Sequence, residues 1–406
     1  MQRLGYLKYL VWRASLSETN IISNLGKDLI AAVTEKVSVR LTPDIQIYSL
    51  NALTDTAHKD LKSIALKSTE HDSNGKIVRL EIQDYYLASD ELPSRRGKLV
   101  YDDGNRYPYL AIDLNLIRKG TGSLLTRGKS FLNFVSDEER RSFIVSNISL
   151  RENTANPFLF TLPQKLLLMF SFIEGDGDIL KMLYAKVLCL SGDFSAQDAG
   201  NYLPEIYRHI SKEISKRIRT GEDFIKVRKI LDTADKIEAV KQKASPGGKN
   251  AREHSITLRL EAFVDFGLLS KPDPFSYRYE VTNEARYFFE TFTSDMEIDY
   301  FLKNSFFNSI NKAFGLFCEH QADRASVLYA IQKAYSILKN PLGYAPIHEV
   351  NILAAILSIV ENRKCFEISE SIDVLKSLQK ERPDDVRFNV DYWGSLTFVK
   401  LNKEII

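Results

Sequence analysis

Residues 267–289 read GLLSKPDPFSYRYEVTNEARYFF. Two short apolar stretches flank a turn holding Pro272 and Pro274, Thr282 follows, and an amphipathic helix begins. Proline fixes its own φ and donates to no ladder, so the stretch is punctuated into strand, turn and strand. Upstream, Ile256, Leu260, Phe263 and Val264 recur at helical spacing, which predicts a helix over about residues 251–266 with Gly267 as its left-handed end. A long helix running straight into a lone hairpin, in a chain that otherwise reads as helical, restricts the fold more than any other feature. The hairpin must brace that helix.

The same grammar recurs. LNLIRKGTGSLLTRGKSFLNF, residues 114–134, places Ile117-Arg118-Lys119 before a glycine turn and a second apolar stretch ending in Thr126. Thr126 and Thr282 are each expected to N-cap a helix whose buried face starts five residues later, at Phe131 and Tyr287. A third hairpin is predicted in VRFNVDYWGSLTFVKL at the end of the chain, turning at Tyr392-Trp393-Gly394-Ser395; its aromatic tip could pack on a partner or insert beside a phosphate, and the favoured reading folds it back on its own core. Helices precede it: EIDYFLKNSFFNSINKAFGLF, ASVLYAIQKAYSILK, APIHEVNILAAILSIVE and SESIDVLKSLQK.

Elsewhere the pattern is weaker. SVRL and IQIYSL predict two strands around a Thr42-Pro43-Asp44 turn, residues 55–67 a helix, KIVRLEI a strand and residues 89–106 a loop. Residues 153–163 read as an inter-domain joint, and a helix opens near Pro163. EGDGD, residues 174–178, is expected to break that helix, with Asp178 capping the next; counted as a calcium loop from Asp176, its twelfth position is Val187, not glutamate. Two or three charged helices fill residues 193–244, and SPGGKN makes a turn at 245–250. The expected division is 1–152, an α+β domain with a hairpin-bearing end; 153–294, a central domain with a basic helical insertion; and 295–406, a helical domain ending in a hairpin. The fold class is α+β, predominantly α-helical.

Helices followed by a hairpin form a small core that holds one helix proud of the surface. REHSITLRLEAFVDFGLLSK…YRYEVTNEARYFF resembles a winged-helix DNA-binding domain over about 45 residues, and the other two units resemble it by element order alone. The string of units resembles, more loosely, the tandem winged-helix recognition modules of type IIS restriction enzymes and prokaryotic defence proteins. The resemblance implies a helix for the major groove and a wing along flanking phosphates. Lys249, Asn250, Arg252, His254 and Thr257, read as lying off the apolar stripe, would be the base-edge donors, with Lys271 and Arg278 on the wing. Lys212, Lys216, Arg217, Arg219, Arg228 and Lys229 would neutralise phosphate.

Charge distribution agrees with that expectation. The whole chain of 406 residues carries only +2, but residues 208–259 hold 14 Lys or Arg against 7 Asp or Glu, a local excess suited to a polyanion. The rest of the sequence narrows the enzyme classes. It has no Glu-x-Lys, and its one Asp-x-Lys, Asp60-Leu61-Lys62, lies in a predicted helix rather than on a nuclease strand. No phosphate-binding loop, dinucleotide fingerprint or nucleophile elbow occurs. The six histidines are scattered, and Cys318-Glu319-His320 is too compact for zinc without a second pair. Cys189, Cys318 and Cys365 form no Cys-x-x-Cys pair, which reads as buried thiols in a reducing compartment. With no apolar run long enough for a bilayer and no secretory leader pattern, the expectation is a cytoplasmic, non-enzymatic protein without cofactor or metal. Its expected partner is double-stranded DNA, with an ATPase or nuclease subunit as a possible protein partner; the rival is a scaffold whose winged helices dock such a subunit, or a nuclease with an unrecognised site.

Overall fold

The computed structural model describes residues 4, 6–16, 106–144, 160–188, 192–216, 221–242, 250–272, 278–291, 297–316, 320–392 and 394–402. The strands, helix and turn expected between residues 37 and 82, most of the loop 89–106, and the 245–250 turn apart from Asn250 lie outside them. The chain divides into two compact units, residues 1–165 and 166–406. The described part is predominantly helical, with two small antiparallel sheets of three strands and one parallel pair.

In the first unit, α1 (Tyr6–Ser15) buries Leu7, Leu10, Val11 and Ala14, an i, i+3, i+4, i+7 stripe. After α2 (Arg106–Asp113), Ile117 and Leu124 pair antiparallel in a minimal hairpin, and Gly120 and Gly122 take positive φ in its turn. α3 (Thr126–Asn133) and α4 (Asp137–Ile144) follow. Phe131 is fully buried as expected, but Thr126 is no cap: Leu125 holds the N-cap position without a side-chain bond, and Thr126 is already helical. α3 is seated instead by Gly128, which lies against the Leu116 carbonyl. Lys8, wholly buried, donates to Glu139 of α4 at 2.5 Å; burial lowers its pKa against the pull of that carboxylate.

α5 (Leu162–Leu183) runs through residues 174–178 without a break and ends in a π turn (Tyr184–Leu188), correcting the expected interruption at EGDGD. Tertiary contacts override the poor helix propensity of its two glycines. Gly177 lets Ile298 approach, for a Cβ there would sit 2.9 Å from Ile298 Cδ1. Asp176 pairs with Arg259, and Glu174 hydrogen-bonds His348 at 2.9 Å. Asp178 therefore lies inside a helix and caps nothing.

β1 (Asp193–Ser195), α6 (Ala196–Ser215), α7 (Gly221–Gln242), α8 (Asn250–Phe266), β2 (Leu269–Ser270) and β3 (Arg278–Val281) follow. β1 pairs antiparallel with β3 (Phe194 opposite Tyr279), β3 pairs antiparallel with β2 (Leu269 opposite Val281), and the spatial order is β1-β3-β2. Thr282 does cap α9 (Asn283–Glu290), accepting from Ala285 N at 3.1 Å. The buried face of α9 is Phe288 and Phe289 rather than Tyr287, which is 59% exposed. The single helix expected next divides at Ser305 into α10 (Ile298–Asn304) and α11 (Phe306–Phe314).

The C-terminal elements repeat the order. β4 (His320–Gln321) is followed by α12 (Arg324–Leu338), β5 (Ala345–Pro346), α13 (Ile347–Leu357) with a π turn (Ser358–Asn362), β6 (Lys364–Cys365), α14 (Ile368–Glu381), β7 (Val386–Val390) and β8 (Leu396–Leu401). β4 and β6 pair parallel, and the second three-stranded sheet has the order β5-β8-β7. Each three-stranded sheet thus sets its first strand beside its third, with helices between the first and second. Phe170 of α5 packs with Phe306 and Phe307 of α11, and Phe288 with Phe301 and Phe306, joining the two helical groups through one aromatic core. At the C-terminal hairpin Tyr392 is 93% exposed, so this residue of the tip is not folded back on the core as expected.

Glu367, 2% exposed, closes two helices at once. It is the N-cap of α14 in a capping box with Glu370, and its carboxylate also accepts from Phe307 N at 3.2 Å and Asn308 N at 2.8 Å in the first turn of α11. Burial pushes this carboxyl up from 4.5 to about 7, against the pull of the Asn308 and Phe307 amides. Across that window the folded chain keeps a proton that the unfolded chain has lost, so stability falls as pH rises from about 4.5 to 7. Glu367→Gln, which cannot titrate, removes this component. The melting temperature of the wild type minus that of the variant should decline across the window and level off above it; a constant difference would mean that the native carboxylate is already ionised throughout.

Candidate nucleic-acid interface

α8 buries Ile256, Leu260 and Phe263. It ends as the sequence predicts: Gly267, at φ 82°, donates to Val264 O and Leu268 donates to Phe263 O, the paired bonds of a Schellman motif. Asn250 and Arg252 stand in its first turn and His254 in its second. Helical spacing sets Asn250, His254 and Thr257 off the buried stripe, but Arg252 precedes Ile256 by four residues and continues the stripe's own line. Thr257 is half-buried. Lys249, Arg217 and Arg219 lie outside the described residues.

Lys271 is not the exposed wing cation that its place in the sequence suggests. Its side chain is 5% exposed, and its ammonium pairs at 3.1 Å with Glu261 of α8, itself 2% exposed. The same Glu261 oxygen accepts from Tyr279 Oη of β3 at 2.6 Å, and the Lys271 ammonium lies 5.4 Å from the Tyr279 ring centre. Phe194 of β1 stacks on that ring. One buried carboxylate therefore ties α8 to both strands of the hairpin, and the charge that neutralises it is spent inside the fold. Arg259 is likewise turned inward, onto Asp176 of α5; burial works against its charge, and the Asp176 carboxylate together with Tyr207 outweighs this and raises its pKa.

Arg278 does stand exposed on β3, but it forks onto Asp193 of β1, which raises its pKa, and Asp198 lies close enough to add to the effect. Asp198 belongs to the capping box of α6: Ser195 Oγ accepts from Asp198 N at 3.1 Å, and Asp198 accepts from Ser195 N at 2.9 Å. Those bonds hold its carboxylate below the ordinary range. Lys216 pairs with Glu213 at 2.6 Å, whereas Lys212 at the end of α6 and Arg228 and Lys229 of α7 are exposed without a partner among the described residues. Arg208 of α6 bridges to Asp235 and Glu238 of α7, fastening these two helices.

The structure thus gathers β1, α6, α7, α8 and the hairpin around one core, with Lys212, Arg228 and Lys229 at its surface. Sequence reasoning missed β1 and the acid Glu261. A three-residue strand carries no periodicity, but the Ser195-x-x-Asp198 signature of a capping box was legible and marks where that strand must stop. Among the described residues no three His, Cys, Asp or Glu side chains gather as metal ligands, and no helix is long and apolar enough to cross a membrane. No protein-family model matches the chain, and neither a curated protein nor a solved structure is significantly similar to it.

Proposed function

We propose that residues 166–406 carry two winged helices, that the first of them binds double-stranded DNA without catalysing a reaction on it, and that the chain serves as a subunit of a larger DNA-acting assembly of the restriction or anti-phage kind. The observation that carries the reading is the order β1, α6, α8, β2, β3 folded as a β1-β3-β2 sheet, with α7 inserted between α6 and α8. That order supports the winged-helix reading. The second sheet, with α13 and α14 between β5 and β7, repeats it. In this reading the N-terminal turns of α8 bring Asn250 and His254 to base edges, while Lys212, Arg228 and Lys229 neutralise phosphates. Arg278 contributes to the extent that phosphate displaces Asp193, and Lys271 contributes only by holding the hairpin in place.

Affinity for a duplex should fall steeply with salt, because each neutralised phosphate releases about 0.9 counterion. Replacing Lys212, Arg228 and Lys229 together with alanine should lower the slope of log affinity against log salt by about three, with the melting temperature unchanged. Fluorescence anisotropy with a labelled duplex reads both slopes. A wild-type chain with no duplex affinity at low salt would rule the reading out in favour of a protein-docking scaffold.

A further inference from the structure

The second sheet offers a feature that DNA binding does not use. β7 is an edge strand: the order β5-β8-β7 leaves nothing beyond it among the described residues. Its hydrogen bonds show which way its backbone faces. Asp385 O accepts from Asn402 N at 2.9 Å, Asn389 O accepts from Thr397 Oγ1 at 3.1 Å, and Asp391 N donates to Ser395 O at 2.9 Å, so the odd-numbered residues address β8. Backbone groups alternate along a strand, so those of Phe388 and Val390 point out of the sheet, whereas Val386 is wholly buried and closed to a further strand. Outside the β7–β8 ladder neither Phe388 nor Val390 has a backbone partner among the described residues. Residues 387–390, without proline and with Phe388 and Val390 of high strand propensity, form an open edge of the kind that takes up another strand.

The two faces of this edge define what fits it. On one face Arg387 stands directly across from Lys400 of β8, like charges held side by side, with Asn389 and Phe398 as the next pair along. Arg387 has no partner among the described residues, and the Lys400 ammonium lies over the Tyr344 ring, 5.2 Å from its centre. On the other face Phe388 is half-buried and Val390 is exposed. The strand's own acids are engaged at its two ends, Asp385 by Arg382 and Asp391 by the Ser395 amide.

We infer that the β7 edge binds an extended segment of a partner protein that alternates acidic and apolar residues, adding a fourth strand to the β5-β8-β7 sheet. Its acidic side chains meet Arg387 and, diagonally, Lys400; its apolar side chains cover Phe388 and Val390; its amides satisfy the outward groups of Phe388 and Val390. A second copy of β7 fits poorly, because pairing about a two-fold axis sets another Arg387 and Lys400 on the already cationic face. Duplex DNA could neutralise Arg387 but would leave the edge amides unmet and the apolar face uncovered. The inference stands independently of α8 meeting DNA.

The test uses the full chain and a labelled, end-blocked heptapeptide alternating valine and glutamate, read by fluorescence anisotropy, beside the same peptide with lysine for glutamate and one with alternate amides N-methylated. The glutamate peptide should bind, N-methylation of the amides facing β7 should weaken it by about tenfold or more, and R387E should weaken it about tenfold while improving the lysine peptide. The inference fails if no peptide binds up to millimolar concentration, if the glutamate and lysine peptides bind alike, or if N-methylation has no effect. It also fails if R387E lowers duplex affinity and leaves the peptide untouched, or if the chain dimerises through this edge in the absence of peptide.

Discussion

Glu261→Ala is expected to destabilise residues 166–406 by about 3–5 kcal/mol, because it removes the carboxylate that neutralises a buried ammonium. Lys271 and Glu261 are 5% and 2% exposed, so the lysine left behind stays out of water beside the Tyr279 ring without the carboxylate that neutralised it. The Tyr279 hydroxyl loses the acceptor at 2.6 Å in the same stroke. In a unit of this size the melting temperature should drop by roughly 10 °C. Replacing both charges, Glu261→Leu with Lys271→Met, should recover most of the loss, since a buried pair exchanged for apolar groups of similar volume is often close to neutral. Thermal unfolding of the two variants and the wild type decides the matter. A loss below about 1 kcal/mol for Glu261→Ala would mean that the lysine reaches solvent once released, and the triad would then be an ornament of the hairpin rather than its anchor.

The second large effect lies in the first unit. A Cβ on Gly128 would stand 2.1 Å from Leu116 O, 3.0 Å from Leu116 C and 3.2 Å from Leu124 Cδ2. Two of those three atoms are backbone, in the strand-like stretch that α3 packs on, so neither neighbour can swing aside. Gly128→Ala should therefore cost about 3 kcal/mol as α3 is lifted from the hairpin. Gly175 is the matched control: it lies within α5 with nothing within 4 Å of its would-be Cβ, and Gly175→Ala should stabilise the chain by about 0.5–1 kcal/mol. Opposite signs from one substitution at two helical glycines are the expected outcome. Equal effects would show that backbone approach at Gly128 is not what seats α3.

What was legible in the sequence was what depends on neighbours along the chain. The span of α8, its glycine end, the Thr282 cap and both hairpins follow from periodicity and turn chemistry within a few residues of each position. What was not legible depended on distant partners. Glycines 175 and 177 read as a break because local propensity says so; Arg259, His348 and Ile298, far away in the sequence, hold that segment helical. Lys271 read as a wing cation from its place in the hairpin, and only the fold brings Glu261 beneath it. The like-charged Arg387 and Lys400 could be matched only once the register of β7 and β8 was known. Lys212, Arg228 and Lys229 kept their expected exposure, since nothing in the described residues competes for them.

α5 draws one more consequence from that helical EGDGD. Within a single turn it fastens Arg259 of α8 through Asp176 and His348 of α13 through Glu174, and Phe170 one turn earlier is wedged against α11. The two sheet-bearing groups are thus pinned to one rod, like the jaws of a caliper locked on its beam. The spacing of the two groups is set by a helix rather than by a linker.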